Sequence, residues 1–239
     1  MIQAPPRPSR RALADWAVER LYDLIFSGEL APNAEMTESG LAERLNVSRS
    51  PIREALAQLE DDGLITIDPF TGRRIIARFG ARDVSEVYMI RTALEAMAHR
   101  LAAERISDEE IASIERMVEE LERRVEARAV GLPSQSPEFE PRLPIHQAVC
   151  AASGLRHLEP LLAPLWLRTR VFLTHLDRTG VYRDDDELPI VTGHYRRILE
   201  ALRSHSPDEA EAALRDHLGM RRDRIVAALE RSGGVLSQR

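Results

Sequence analysis

The run Leu41-Ala42-Glu43-Arg44-Leu45-Asn46-Val47-Ser48-Arg49-Ser50-Pro51-Ile52-Arg53-Glu54-Ala55-Leu56 constrains this chain more than any other stretch. It reads as a short helix, a tight turn and a second helix whose first turn carries two hydroxyls and two arginines. Thr37 is expected to cap the first of these helices and Ser48 the second, which Gly63 stops after about Asp62. Upstream, Leu13, Ala17, Leu21, Leu24 and Ile25 recur at helical spacing over residues 12–26, and Gly28 can end that helix. Downstream, Leu64-Ile65-Thr66-Ile67 and Arg74-Ile75-Ile76-Ala77 read as two short strands joined by the turn Pro69-Phe70-Thr71-Gly72. Three helices followed by a hairpin make a winged helix-turn-helix.

In such a unit the second helix enters the DNA major groove end-on, so its first turn meets base edges. Here that turn offers Ser48, Arg49, Ser50 and Arg53. Arg49 and Arg53 share one helix face, and a guanidinium can grip guanine O6 and N7 together. The serine hydroxyls and first-turn amides suit phosphate oxygens. The bland reading makes these solvated surface arginines and Ser48 a mere cap. At Thr71, Gly72, Arg73 and Arg74 two readings stand: a plain hairpin turn, or a wing touching backbone or minor groove.

Composition removes several function classes. The net charge of −6 argues against a protein that coats nucleic acid, but not against a local basic face. All 33 Lys+Arg residues are arginine, which excludes a catalytic Schiff base and a lysine-dependent phosphate loop. The single Cys150 excludes an internal disulfide and a cysteine-rich zinc site. No apolar run approaches the roughly 18–20 residues that span a bilayer, so no membrane partner is expected. The N-terminus, with Pro5, Pro6 and Pro8, is read as a disordered arm rather than a secretory signal, and a cytoplasmic location follows.

From Arg82 onward strand signals vanish. Amphipathic helices are expected at about 82–105, 107–129, 142–153, 155–178, 186–204 and 207–231. The fold class is therefore mainly α: an N-terminal winged helix-turn-helix plus a C-terminal all-helical bundle. The expected segments are an arm (1–11), the winged helix (12–78), a linker (79–81), a helical effector-binding and dimerisation domain (82–232) and a flexible tail (233–239).

The stretch from Ile25-Phe26-Ser27-Gly28-Glu29-Leu30 through Val47-Ser48-Arg49-Ser50-Pro51-Ile52-Arg53-Glu54-Ala55-Leu56 to Gly63-Leu64-Ile65 resembles the winged-helix domain of GntR-family transcription regulators. The helical remainder resembles the FCD effector domain of the fatty-acid-regulator branch. That likeness is carried by His146-Gln147-Ala148-Val149, Ile198-Leu199-Glu200-Ala201-Leu202 and the segment from Ala210 to His217-Leu218. It implies a homodimeric regulator, more often a repressor. Its affinity for a double-stranded DNA operator would change when a small metabolite, often a carboxylate, binds the helical domain.

Many FCD domains hold a divalent metal through an aspartate, a histidine four residues later and two further histidines. Here the corresponding positions carry Arg142, His146, Tyr195 and His217, with His194 beside Tyr195. Taking Val191, Ile198 and Leu202 as the inward stripe, Tyr195 lies nearer its centre than His194 at ~100° per residue. Two arrangements follow. In one the pocket is metal-free and an organic anion meets Arg91, Arg142, His146, Tyr195, His217 and Arg221 directly. In the other, a one-residue bulge lets His146, His194 and His217 hold zinc or nickel, which would also allow a metal-dependent hydrolase-like enzyme. Pro144 complicates both, because a helix starting there would swing Arg142 off the expected face. Arg91 and Arg221 stand where leucine would fit the stripes. Glu95, one turn beyond Arg91, is its simplest partner, and satisfied core histidines are the bland reading of His146 and His217.

Overall fold

The first helix, α1 (Arg10–Phe26), buries Ala14, Ala17, Leu21, Leu24 and Ile25, which recur at intervals of three and four residues. In the computed structural model, which describes residues 10–77, 79–129, 142–182 and 188–232, this stripe packs on α3 (Arg49–Asp61). Between them α2 (Glu38–Leu45) opens at Thr37, whose side chain accepts a hydrogen bond from Gly40 N at 3.2 Å. It closes at Asn46, which adopts a left-handed φ of 53°. Ser48 stands at the N-cap of α3, yet its hydroxyl makes no capping hydrogen bond, so the expected cap is positional only. Pro51, Ile52, Ala55, Leu56 and Leu59 form the buried face of α3. Gly63, at φ 68°, turns the chain out of that helix.

Two three-residue strands follow, β1 (Ile65–Ile67) and β2 (Arg74–Ile76), paired antiparallel with Ile65 opposite Ile76 and Ile67 opposite Arg74. The hairpin has a third, irregular neighbour. Asn33 N donates to Ile76 O, Ile76 N to Ala34 O and Met36 N to Arg74 O, at 3.2, 3.2 and 2.8 Å. The segment before α2 thus covers the free edge of β2.

The chain divides into two units at residues 78 and 79. In the second, Phe79 is buried against Phe172, Gly80 stands at the N-cap and α4 (Ala81–Arg105) begins at once, so these residues are integral to the helical unit. The order continues with α5 (Asp108–Ala129), α6 (Arg142–Ala152), α7 (Leu158–Arg178), α8 (Leu188–Arg203) and α9 (Pro207–Arg231). Helices α4 and α9 pack lengthwise as the spine; α6, α7 and α8 lean on α4, and α5 covers α6 and α8. Buried Ile114, Val118 and Leu121 supply the inner stripe of α5. Arg196 of α8 is joined to Glu122 of α5, Nε to Oε1, at 2.7 Å.

Several expected boundaries move by one to three residues. Helix α7 begins at Leu158 rather than 155, because Leu155 N donates to Ser153 Oγ and Leu158 N to Leu155 O, a separate turn. Pro144 does not displace Arg142. Helix α6 starts at Arg142, so the proline lies in the first turn, where a missing N–H is harmless, and Arg142 is buried. The expected arm falls outside the described residues except for Arg10 and Arg11, which already belong to α1; the expected tail and the acidic 183–187 segment fall outside entirely. No helix among the described residues is long and apolar enough to cross a membrane.

Candidate functional site

At the head of α3, Ser48 and Arg49 are exposed and Ser50 is half-buried. Arg53 is held rather than loose. Its Nε and Nη2 donate to the two carboxylate oxygens of Glu38 on α2, each at 3.0 Å. Glu38 also lies 3.8 Å from Arg74 of β2, which donates to Glu60 of α3 at 2.9 Å. The hydrogen bond from Arg53 holds the Glu38 carboxyl below its usual range. A chain of alternating charges therefore runs from α3 to the base of the hairpin. It pre-orients Arg53, lowering the entropy lost when its outer N–H edge meets an acceptor.

The wing is the loop 68–73. Asp68 N donates to Arg73 O and Gly72 N to Asp68 O, both at 2.8 Å. The Asp68 carboxylate accepts from Phe70 N at 2.7 Å and Thr71 N at 3.0 Å. Thr71, Gly72 and Arg73 are exposed, and Arg73 pairs with Glu35 at 2.6 Å. Phe70, not singled out by its sequence context, is 95% exposed.

In the helical unit, Arg91, Arg142, His146, Tyr195, His217 and Arg221 all line one small cavity, contributed by α4, α6, α8 and α9. Glu95 is the hub beneath it. Its Oε1 accepts from Arg91 Nε at 2.7 Å and from Trp166 Nε1 at 2.9 Å. Its Oε2 lies 2.8 Å from His146 Nδ1, close enough for strong electrostatic contact but poorly aligned for a hydrogen bond. On the cavity side, Tyr195 Oη and His146 Nε2 are 3.0 Å apart. The tautomer that satisfies both ends carries its proton on Nδ1, facing Glu95, while Nε2 accepts from the tyrosine. Arg91 Nη1 donates to Thr169 Oγ1 at 3.2 Å, and its guanidinium lies 5.4 Å from the Tyr88 ring centre. The Arg91–Glu95 pair expected from the sequence is thus present, and Arg91 lines the cavity as well.

Burial would raise the Glu95 carboxyl, but Arg91 and His146 outweigh it and hold it well below the usual carboxylate range. Burial drives His146 down and His217 well below its ordinary value. His99, whose Nδ1 lies 2.8 Å from Glu95 O, is lowered to about 4, chiefly by burial. The pocket imidazoles are therefore neutral near pH 7. Neither nitrogen of His217 nor the Tyr88 hydroxyl has a hydrogen-bond partner among the described residues.

These shifts set an acid limit. The unfolded chain takes up protons on its histidines near 6.5, whereas the folded form keeps His99 neutral down to about 4. Stability present above pH 6.5 is lost as the pH falls toward 4. For His99 this amounts to up to about 3 kcal/mol, at roughly 1.4 kcal/mol for each tenfold change in proton affinity. A His99→Gln protein should show a flatter fall in melting temperature between pH 6.5 and 4, measured by calorimetry.

The metal arrangement does not fit these residues. Arg142 stands where a carboxylate ligand is required, and a guanidinium cannot ligate a cation and repels one. Tyr195, not His194, lines the cavity and occupies His146 Nε2. His194 is only partly buried; its ring centre lies 5.7 Å from that of His217. Among the described residues no group of three His, Cys, Asp or Glu side chains converges on a metal position. Neither a metal site on His146, His194 and His217 nor a hydrolase built on it finds support in this arrangement. The spacing of Arg91, Glu95 and His99 in steps of four held a signal for a wider buried cluster. Thr169 and Trp166, which reach it from α7, left none.

A winged helix with arginines at the head of its third helix, on one chain with a cationic buried pocket, defines a class: a DNA-reading unit joined to a small-molecule sensor. The model of the bacterial regulatory proteins of the gntR family matches residues 13–75, and that of the FCD domain matches residues 86–220. The HTH-type transcriptional regulator YdhC of Bacillus subtilis is 30% identical over 212 residues, covering 88% of this chain and 90% of that protein. A probable D-xylose utilization operon transcriptional repressor of Paenarthrobacter nicotinovorans is 28% identical over 235 residues, covering 96% and 94%. The structure of Escherichia coli McbR/YncC shares the fold, with a TM-score of 0.72 at 24% identity, covering 92% of this chain and 98% of that one. The chain belongs to the GntR family of regulators, in the branch that carries an FCD domain. Membership assigns it a DNA- and ligand-binding role rather than a catalytic one.

Proposed function

We propose that the chain is a homodimeric, sequence-specific repressor whose operator affinity is set by a small organic acid bound in the FCD cavity without a bridging metal. The observation that carries this reading is the cavity lining: Arg91, Arg142 and Arg221 with His217 and Tyr88, and no carboxylate. Three buried guanidiniums place positive charge around the cavity, and a carboxylate is the anion whose geometry suits guanidinium forks. The lining side chains come from α4, α6, α7, α8 and α9. One anion would therefore draw several helices together, and any preference for one helix arrangement would shift the balance between dimer geometries. Repression is favoured by the printed description of the Paenarthrobacter relative. The dimer is favoured by Met89, Ile90 and Met97, three large apolar side chains exposed on α4. At the DNA end, Ser48, Arg49, Ser50 and Arg53 read the major groove, and Thr71, Gly72 and Arg73 approach the flanking backbone.

The test uses chelator-treated full-length protein and a DNA fragment that it selects from fragmented genomic DNA. Titration with acetate, malonate, succinate and longer hydroxy acids should give a carboxylate that releases heat on binding and changes fragment affinity. Arg142→Met and Arg221→Met should abolish that heat. Binding that appears only after zinc or nickel is added would overturn the metal-free reading. Light scattering should give twice the 27.0 kDa chain mass, and Met97→Glu should shift it toward one.

A further inference from the structure

We propose that Phe70 is an apolar wedge that enters the minor groove beside the major-groove site of α3 and bends the bound DNA. This inference rests on the DNA-reading assignment above. Among the described residues no other large apolar side chain is exposed to the 95% seen for Phe70; Leu161 follows at 60%. Turn positions of this kind ordinarily take glycine, asparagine, aspartate or serine, so an aromatic ring placed wholly in water calls for a partner.

The turn is built to hold that ring out. The Asp68 carboxylate accepts from Phe70 N and Thr71 N, Gly72 N donates to Asp68 O, and Arg73 N donates to Thr71 Oγ1 at 3.4 Å. Gly72 sits at φ 67°, a conformation that other residues rarely adopt. Those bonds also turn the Asp68 charge toward backbone amides, away from an approaching phosphate. Thr71 and Arg73 flank the ring with a hydroxyl and a cation suited to the sugar–phosphate backbone.

Position points to the same partner. The last ladder pair of the hairpin is Ile67 with Arg74, and Arg74 shares Glu38 with Arg53 of α3. Phe70 and Thr71 lie beyond that pair, at the tip of a turn closed by the Asp68 N to Arg73 O and Gly72 N to Asp68 O hydrogen bonds. With α3 in a major groove, a hairpin whose base is tied to that helix through Glu38 is placed beside the flanking phosphate backbone and the adjacent minor groove. Phenylalanine inserted there unstacks a base step and bends the duplex toward the major groove. Ile67, 51% exposed, extends the apolar surface behind the ring.

The experiment uses full-length protein and a fragment selected by the wild type from genomic DNA, labelled at both ends for energy transfer. Wild type should bend the fragment. Phe70→Ala should lose the bend and bind about tenfold more weakly, and Phe70→Leu should keep most of both. Circular dichroism controls for folding, which an exposed side chain should not affect. Unchanged affinity and bending in Phe70→Ala overturns the wedge, as does lost affinity with the bend intact. If Arg49→Ala weakens binding while Phe70→Ala leaves both affinity and bending unchanged, the wedge fails and the DNA-reading assignment stands. If the wild type selects no fragment, both fall.

Discussion

Glu95→Ala is expected to destabilise the helical unit by about 3–5 kcal/mol, the largest single-residue effect in the described chain. The carboxylate is completely buried and accepts from Arg91 and Trp166 while facing His146. Its removal leaves the Arg91 guanidinium inside the protein with Thr169 as its one remaining hydrogen-bond acceptor shown here, and strands the indole N–H. Urea unfolding of the full chain, followed by circular dichroism, measures the loss as a lower midpoint. The double variant Arg91→Met with Glu95→Leu should recover most of it, because replacing a buried pair by apolar side chains is often neutral. A Glu95→Ala midpoint within about 0.5 kcal/mol of wild type would mean that the hub carries no stability.

Arg49→Ala is expected to weaken binding to a selected DNA fragment by about 1–3 kcal/mol, roughly five- to 150-fold, with little effect on random-sequence DNA. Arg49 is exposed at the first residue of α3, where a major-groove helix meets base edges. Arg53 differs, because Glu38 already holds it. Glu38→Gln should leave folding intact while reducing discrimination between selected and random fragments, as the released guanidinium then meets any phosphate. Fluorescence anisotropy at two salt concentrations separates the two effects. An Arg49→Ala protein that loses salt sensitivity but keeps its specificity would contradict the base-reading role.

Much of the fold was legible because local signals agreed. Thr37 and Gly63 each mark a helix end by chemistry that acts over a few residues, and the structure uses both. The inward positions of Arg91 and Arg221 followed from helical stripes, since one face of each helix must be buried, whereas Arg142, His146, Tyr195 and His217 were pointed to by the FCD resemblance. The choice of Tyr195 over His194 came from the helical stripe. What escaped was non-local. The Trp166 indole reaches Glu95 across 71 residues of sequence, and Thr169 reaches Arg91 across 78, separations no periodicity encodes. The 33–36 segment beside β2 was hidden because its pairing depends on backbone groups rather than side-chain pattern. Phe70 was hidden because a turn sequence does not state how far its residues stand from the body of the fold.

The central claim is that arginines and a tyrosine, rather than a metal ion, organise the sensor cavity. Its most direct test is the divalent-metal content of the purified full-length protein by mass spectrometry, with melting temperatures taken before and after chelation. The expected result is far less than one metal per chain and a melting temperature unchanged by chelator, zinc or nickel. One tightly held metal per chain, lost together with thermal stability in His146→Ala, would contradict it.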